Sequence, residues 1–382
     1  MAWIPGQQLQ DGKYRIEKVL GEGGFGITYL AISQDYGLVV IKTLNDDKQK
    51  SPDFDAIQNR FLKEPLAIRG CQHPHIVRVY GHFYETVYRP NSMQTKANEL
   101  RLDCIVMEYV QGINLQQRLD DNGALPEWEA LRYVGQIGGA LTVVHGQRLL
   151  HRDVTPSNIM VRQQTGEAVL IDFGLAREFT AYSTQRHTNV LSKGYGPLEQ
   201  YFEKVKRGEF TDVYGLAATL YSLVTGEVPV SASDRYYGVT SQDNDPLVLP
   251  QTLNPDLSDR TATAILKGMA IQPKDRPQSI ADWLGGLNIS PEDYSHHGVI
   301  RTHGWTATST GRRPSPFSAA PTDVVAPGIN HRPDFSGMEP QSSAPNLSSS
   351  GQPRVALSGD YIQLWHTGKW VGLTTAIKNS KP

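Results

Sequence analysis

Hydrophobic and polar positions alternate in short runs over the first third of the chain. Each run is rich in β-branched or aromatic residues and is bounded by glycine or polar turns, as is typical of strands. The runs lie at residues 14–20, 27–33, 37–44, 75–84 and 100–110. Between the third and fourth runs, Ile57, Phe61 and Ile68 follow helical spacing instead. The pattern predicts a five-stranded sheet with one main helix between Tyr14 and Val110.

From Leu115 onward the hydrophobic spacing changes to three and four residues. Such stripes predict amphipathic helices that pack around a common core, and they lie at residues 125–147, 210–226, 258–271 and 280–287. The most apolar stretch, residues 133–144, is interrupted by Gln136 and several glycines, which favours a buried core helix over a membrane span. The chain is therefore predicted to be an α+β protein with a small β-rich lobe and a larger helical lobe.

The composition shifts beyond Leu287 to serine, proline, glycine, threonine and histidine. Such a segment buries too little apolar surface to offset its ordering entropy, so residues 288–382 are predicted to form a mostly disordered tail. Aromatic and β-branched residues return near 360–377. This short aromatic segment fits a hairpin, a docking peptide or a stretch without stable structure.

Composition bounds the class of protein further. A chain of 382 residues with 39% hydrophobic residues is long for one core and fits a large two-lobed domain with an appendage. With a formal net charge of −2, the chain has no overall positive field that would attract nucleic acid or an anionic membrane. Only Cys71 and Cys104 are present, which suits a reducing compartment. With no signal peptide and no apolar span in the sequence, a cytoplasmic location is expected.

Five motifs occur in one order along the chain. They are GEGGFG at residues 21–26, VVIK ending at residue 42, HRDVTPSN at 151–158, DFG at 172–174 and GYGPLEQ ending at 200. Each motif alone is a weak signal, but the ordered set is specific. It provides a loop to cover a triphosphate, a lysine to grip it, an Asp and an Asn for magnesium, and a second Asp for an incoming hydroxyl.

On these motifs, residues 9–287 resemble the protein kinase catalytic domain, in the form found in bacterial eukaryotic-like (Hanks-type) serine/threonine kinases. The resemblance implies a small lobe over about 9–110 and a helical lobe over about 111–287. It also implies ATP- and Mg²⁺-dependent transfer of the γ-phosphoryl group to serine or threonine hydroxyls of protein substrates, with autophosphorylation of the activation segment. The tail is a candidate for recruiting other proteins.

The resemblance assigns catalytic roles to five residues. Lys42 would bind the nucleotide phosphates and pair with Glu64 on the predicted helix. Asp153 would accept or orient the substrate hydroxyl, and Asn158 and Asp172 would hold magnesium, which prefers such oxygen ligands.

The same resemblance implies the nucleotide contacts. A strand follows the glycine-rich motif where a dinucleotide fingerprint would have a helix, which favours a phosphate-covering flap. The implied nucleotide-binding residues, besides Lys42, are Gly21, Glu22, Gly23, Gly24, Phe25 and Gly26 of the flap, Thr28, Val40 and Met160 around the base, and Met107, Glu108 and Val110 at the gatekeeper and hinge.

Several further residues are implied to regulate or support the site. Thr184 and Thr188 are candidates for autophosphorylation in the activation segment. Glu199 and Arg276 would form a buried ion pair, and Asp212 would brace the backbone of the HRD motif.

One position departs from the family pattern. Serine/threonine kinases usually carry a lysine two residues after the catalytic Asp, but this chain has Thr155 there, and Ser157 where tyrosine kinases have an arginine. A missing cation would weaken transition-state stabilisation, and Lys193 is a hypothetical substitute. The departure leaves a catalytically silent scaffold as the main rival, with a small-molecule phosphotransferase or a tyrosine kinase behind it.

Overall fold

A computed structural model describes residues 3–24, 26–88, 99–173, 177–178, 193–201, 205–290, 354–358, 361–366 and 369–374. At residues 60, 64–66, 88, 177–178, 354–358, 361–366 and 369–374 only the backbone is described. The chain divides into two compact units, Met1–Thr306 and Ala307–Pro382.

The first unit begins with a six-stranded antiparallel sheet in the order β1-β2-β3-β4-β6-β5. Its strands are β1 (Gln8–Leu9), β2 (Tyr14–Glu22), β3 (Gly26–Ser33), β4 (Gly37–Leu44), β5 (Val79–Tyr88) and β6 (Glu99–Glu108). The five predicted strands are all present. The additional strand β1 has two residues, too few for an alternating pattern to reveal.

Two helices follow β4, α1 (Asp46–Gln49) and α2 (Phe54–Ile68). Phe54 is buried in the core of the sheet and Ile57 and Phe61 pack against it, as the spacing of Ile57 and Phe61 predicts. Ile68, at the end of α2, is instead buried in the core of the helical lobe. Trp3 also joins this core, with its ring centroid 5.1 Å from that of Tyr29 and its backbone N–H donating to the Tyr29 hydroxyl at 3.1 Å.

The helical lobe surrounds two central helices, α4 and α5. Its elements are β7 (Gly112–Asn114), α3 (Leu115–Asn122), α4 (Glu127–Gly146), β8 (Leu149–Leu150), β9 (Ile159–Arg162), β10 (Ala168–Leu170), β11 (Arg177–Glu178), α5 (Glu209–Thr225), α6 (Ala232–Gln242), α7 (Pro250–Leu253), α8 (Asp259–Gly268) and α9 (Ile280–Gly286). Nearly all of α5 is buried, and it packs on α4, α8 and α9. Gly268 permits this close approach, because a Cβ there would lie 2.5 Å from that of Ala217.

Short strands between α4 and α5 flank the loops that contain the motif residues. The strands β10, β9 and β7 form one antiparallel sheet, and β11 pairs with β8 in another. The loop between β8 and β9 holds residues 151–158, and the DFG motif follows β10. The sheet therefore places the two motifs side by side at one end of the helical core.

The second unit contains a three-stranded antiparallel meander of β12 (Arg354–Ser358), β13 (Tyr361–His366) and β14 (Lys369–Thr374). Trp365 pairs with Trp370 across the β13–β14 hairpin. The hairpin interpretation of the aromatic segment agrees with these strands, whereas β12 was missing from the sequence prediction. Residues 291–353 of the predicted tail lie outside the described residues.

Candidate active site

The loop between β8 and β9 is anchored to the central helix α5 by one buried carboxylate. Asp212 accepts hydrogen bonds from the backbone N–H groups of His151, at 2.9 Å, and Arg152, at 2.7 Å. Arg152 has a φ of 67°, a left-handed conformation that is costly for a residue with a side chain. The two hydrogen bonds hold this backbone in place, which confirms the bracing role predicted for Asp212.

A histidine that the sequence prediction missed completes this anchor. His145, at the end of α4, lies 2.7 Å from Asp212 through Nε2 and 3.3 Å from Glu209 through Nδ1. Burial alone would lower the pKa of His145, but the hydrogen bond to Asp212 and the nearby carboxylate of Glu209 outweigh burial and raise the pKa to about 9. Burial would likewise raise the pKa of Asp212, and the hydrogen bond and charge of His145 instead lower it. A charged pair therefore lies beneath the loop.

Asp153 and Asn158 are brought together at the two ends of this loop. The Asn158 side-chain amide donates to the backbone carbonyl of Asp153, at 2.9 Å, and to Asp153 Oδ2, at 2.8 Å. Asn158 closes a 3₁₀ turn that begins at Pro156. Because the amide N–H₂ faces Asp153, the Oδ1 atom of Asn158 is the atom suited to a cation.

Ile171 joins this loop to the DFG motif. Its N–H donates to the Asn158 carbonyl at 2.9 Å, and its own carbonyl lies 3.1 Å from His151 Nε2. His151 Nδ1 in turn lies 3.3 Å from the backbone N–H of Asp153. The neutral tautomer of His151 with its proton on Nε2 satisfies both contacts. Asp153, Asn158 and Asp172 therefore share one hydrogen-bonded framework.

Asp172 pairs with Lys42 across the cleft between the lobes. Lys42 Nζ forms an ion pair with Asp172 Oδ1, and Asp172 has a left-handed backbone with φ of 54°. Phe173, which follows, is buried and packs edge-on against His151, with ring centroids 4.6 Å apart. The buried phenylalanine and the paired Asp172 place the carboxylate on the cleft side of this turn.

The predicted partner of Lys42, Glu64, lies on α2, and its side chain lies outside the described residues. The pairing of Lys42 with Glu64 therefore stays a prediction. Asp172 is the partner of Lys42 in this structure.

The structural reason for glycine differs among the positions of the flap. At Gly21, Gly23 and Gly24 a Cβ would meet nothing within 4 Å, and none has a positive φ. At Gly26 a Cβ would lie 2.3 Å from the carbonyl oxygen of Thr43. Packing of β3 on β4 thus explains Gly26, whereas the open space over the other three fits the close approach of a phosphate group. Phe25 lies outside the described residues.

Four further residues predicted to contact the nucleotide lie on strands β3, β4, β6 and β9. Thr28 pairs with Lys42 across β3 and β4, and Val40 pairs with Met107 across β4 and β6. Met160 lies on β9, and it is half-buried like Thr28, Val40 and Met107.

Glu22 is an exposed residue at the end of β2, and Val110 is buried just beyond β6. Glu108, at the end of β6, forms an ion pair with Arg162 at 2.6 Å. This pair spans the hinge, since β6 belongs to the small lobe and β9 to the helical lobe.

The donor set fits a magnesium-bound nucleotide. The Asp172 carboxylate and the Asn158 Oδ1 are hard oxygen donors, and Lys42 supplies a cation that pairs with Asp172. No cluster of three or more histidine, cysteine or acidic residues suited to a metal exists within the described ranges. A metal here would therefore depend on phosphate and water oxygens in addition to these two residues.

The position of the missing lysine is not open to the cleft. Thr155 is buried and precedes the 3₁₀ turn, while Ser157 is exposed. Lys193, the hypothetical substitute, lines a cavity formed with residues 228–231 and Asp234, and no catalytic-loop residue lines that cavity. Lys193 as a source of transition-state charge stays a prediction.

The segment after the activation loop is fixed by the predicted ion pair. Arg276 Nη1 and Nη2 bind Glu199 Oε1 and Oε2 at 2.7 and 3.0 Å, and both side chains are buried. Arg276 also donates to the carbonyls of Ala270 and Ile271. Thr184 and Thr188, the phosphorylation candidates, lie outside the described residues.

A second residue that the prediction missed links this segment to the catalytic loop. Gln200 donates from Nε2 to the backbone carbonyl of Arg152 at 2.9 Å. Gln200 lies in the GYGPLEQ motif, but its residue type alone gave no indication of this contact. Apart from its position before the HRD motif, nothing in the sequence indicated that His145 would contact Asp212.

Residues 14–282 match the family model described as the protein kinase domain. The chain therefore belongs to the protein kinase family. In the crystal structure of the Mycobacterium tuberculosis PknI kinase domain, solved as a double mutant, 98% of that chain aligns with 75% of this one, with a TM-score of 0.54 and 24% identity. This likeness supports the two-lobed fold.

Two bacterial relatives are 28% and 29% identical to this chain in sequence. A probable serine/threonine-protein kinase of Clostridium perfringens is 28% identical over 291 residues, covering 75% of this chain and 39% of that protein. Serine/threonine-protein kinase F of Synechocystis is 29% identical over 286 residues, covering 72% of this chain and 55% of that protein. The resemblance to bacterial serine/threonine kinases is confirmed. The chain spans about half or less of the length of these relatives.

Proposed function

We propose that this chain is a protein serine/threonine kinase that uses ATP and Mg²⁺. The observation that supports this most is the shared framework of Asp153, Asn158 and Asp172, in which backbone and side-chain hydrogen bonds hold three oxygen-bearing side chains at one cleft. The ion pair of Lys42 with Asp172 adds the cation that phosphate binding needs.

Each residue has a role in this proposal. Lys42 binds the nucleotide phosphates, and the backbone of the flap covers them. Asn158 Oδ1 and Asp172 hold magnesium, which when bound neutralises charge on the phosphates. Asp153 orients the incoming hydroxyl and accepts its proton, and Asp212 fixes the loop that carries Asp153.

Serine and threonine are the proposed acceptors. The loop DVTPSN keeps Pro156, as serine/threonine kinases do, and lacks the arginine pattern of tyrosine kinases. The bacterial relatives are named serine/threonine kinases, which supports the same choice. Autophosphorylation at Thr184 or Thr188 is part of this proposal.

A catalytically silent scaffold is the second candidate, because Thr155 replaces the usual lysine. All five predicted catalytic residues, Lys42, Glu64, Asp153, Asn158 and Asp172, are present in the sequence, which favours the enzyme. Protein partners of the tail and a cytoplasmic location stay predictions. No helix in the described part of the chain is long and apolar enough to span a membrane.

The experiment uses the purified chain with γ-labelled ATP, Mg²⁺ and a general protein substrate. We expect label on serine or threonine of the substrate, located by mass spectrometry, and none with Asp172→Ala or Lys42→Met. The scaffold would be favoured if the two variants gave as much label as the wild type. It would also be favoured if the wild type gave no label even with substitutions that mimic a phosphorylated activation segment.

A further inference from the structure

One asparagine side chain joins the flap to helix α1. Asn45 lies directly after β4, three residues beyond Lys42, and donates from Nδ2 to the backbone carbonyl of Gly23 at 2.8 Å. Its Oδ1 accepts from the Lys48 N–H at 3.1 Å and so caps α1. These two partners fix the orientation of the amide, because a backbone N–H needs an acceptor and a carbonyl needs a donor. Asn45 therefore uses both ends of its amide at once.

Asn45 is itself held in place by its neighbours. It is buried, and its backbone carbonyl accepts from the Gln49 N–H at 3.0 Å. Gln49 is also buried and donates from Nε2 to the Leu44 carbonyl at 2.8 Å. Within β4, Thr43 donates from Oγ1 to the Asp103 carbonyl of β6 at 3.0 Å. The Asn45 amide is thus fixed relative to the sheet.

The part of the flap that Asn45 holds consists of glycines. Gly23 and Gly24 are exposed, and a Cβ at either position would meet nothing within 4 Å. The Gly23 N–H donates to the Gly26 carbonyl at 2.9 Å, which closes the turn. Ordering a glycine costs more conformational entropy than ordering any other residue. A hydrogen bond from a fixed side chain to the Gly23 carbonyl offsets part of that cost before a nucleotide binds.

The same hydrogen bond sets the direction of a backbone donor. In a trans peptide the carbonyl and the following N–H point to opposite sides. Because the Gly23 carbonyl faces Asn45, the Gly24 N–H faces away from Asn45. Anion-binding loops present such N–H groups to phosphate oxygens. An aspartate could cap α1 but could not donate to Gly23, and a serine hydroxyl is too close to its own backbone to reach Gly23 while it caps α1.

We propose that Asn45 is a positioning residue that holds the flap in the conformation that binds the phosphates of the nucleotide. This proposal rests on the proposed use of ATP. In this role Asn45 acts through the Gly23 carbonyl and not through contact with the nucleotide. Its contribution to binding therefore requires the phosphates, and a ligand without phosphates gains nothing from it.

The test compares the Kd for ATP with Mg²⁺ and the Kd for adenosine, both measured by isothermal titration calorimetry. Asn45→Ser keeps an acceptor for the Lys48 N–H and removes the donor to Gly23. It should raise the Kd for ATP about three- to tenfold, the range for one lost hydrogen bond, and leave the Kd for adenosine within about twofold. Asn45→Asp should raise the Kd for ATP at least as much, because it also adds a negative charge beside the flap.

Ser279→Ala is the control variant. Ser279 caps α9 in the helical lobe by accepting from the Asp282 N–H at 3.1 Å. Its loss should lower the unfolding midpoint without changing either Kd. The proposal is overturned if Asn45→Ser leaves the Kd for ATP unchanged or lowers it, or if it raises both Kd values by the same factor. Thermal unfolding shows whether each variant is folded, and Asn45→Asp decides by the same criteria if Asn45→Ser is not.

The kinase function is tested separately from the role of Asn45. A wild type that binds ATP but transfers no phosphoryl group would refute the kinase function, while the two Kd values would still decide whether Asn45 positions the flap. A wild type that binds no ATP would refute both proposals.

Discussion

Single glycines in the flap serve two separate purposes. Gly26 is required by the protein, because the carbonyl oxygen of Thr43 occupies the place of a Cβ. Gly23 has open space around it and no positive φ. Sequence alone presents both as members of one GxGxxG motif, and only the packing of β3 on β4 separates them.

Alanine at these two positions should therefore affect different properties. Gly26→Ala should lower the free energy of unfolding by about 1–3 kcal/mol through overpacking. Gly23→Ala should leave it unchanged or raise it by up to about 1 kcal/mol, since alanine restricts the unfolded chain, while raising KM for ATP. Urea unfolding and steady-state kinetics measure the two effects. Equal destabilisation by both variants would contradict this assignment.

Residue types that carry chemistry were predictable from the sequence, and their partners were less so. Asp153, Asn158 and Asp172 stand out because the motif order is specific. That Lys42 pairs with Asp172 depends on how the lobes close, and that His145 supports Asp212 depends on helix packing. Neither contact can be inferred from the residues that surround it in the sequence.

At the scale of elements, helix α5 and the end of α4 form the base of the catalytic loop. His145 on α4 and Asp212 on α5 join them through a buried, charged hydrogen bond. The folded pKa of His145, about 9, is above the value near 6.5 expected for the unfolded chain. Its stabilising contribution is therefore complete below pH 6.5 and is lost as the pH rises through 9.

We predict that this loss distinguishes the wild type from His145→Gln. Between pH 6.5 and 9.5 the wild type should lose about 1–3 kcal/mol of unfolding free energy relative to the variant. Urea unfolding at several pH values measures both curves. Parallel curves across this range would show that His145 is not charged in the folded protein.

The hydrophobic pattern predicted strands β2 to β6 and helices α2, α4, α5, α8 and α9, but it missed helix α6, which has 11 residues. Helix α2, with Phe54, Ile57 and Phe61 toward the sheet, follows its apolar spacing. Strand β1 has two residues and strand β12 lies in a segment predicted to lack structure. Pairing with a neighbouring strand defines both, and a pattern within one strand cannot indicate a neighbour.

At the scale of the first unit, there are two hydrophobic cores, and the core of the helical lobe also includes Ile68, Ile76 and Val77 from the small lobe. His75 Nδ1 lies 2.7 Å from the Ala168 carbonyl, and Ile76 forms a bridge with Leu170. Across the hinge, Glu108 binds Arg162 and also accepts from the Arg78 N–H at 3.3 Å. Glu108 therefore connects three segments at the junction of the two lobes.

We predict that this hinge ion pair restricts lobe motion more than it stabilises the fold. Arg162→Gln should lower the unfolding free energy by no more than about 1 kcal/mol, because both side chains are partly exposed. It should raise KM for ATP several-fold by freeing the hinge. A double-mutant cycle with Glu108→Gln isolates the pair, and additive effects on KM would rule out this coupling.

The proposed kinase function requires Asp153 to act on the substrate hydroxyl after the nucleotide is bound. The most direct measurement is kcat for Asp153→Asn beside the equilibrium Kd for ATP with Mg²⁺. Asparagine keeps the shape and removes the proton acceptor, so kcat should fall about a hundredfold to ten-thousandfold. The Kd should stay within about twofold, because Lys42, Asn158 and Asp172 are unchanged. A variant that retains wild-type kcat would contradict the catalytic role of Asp153.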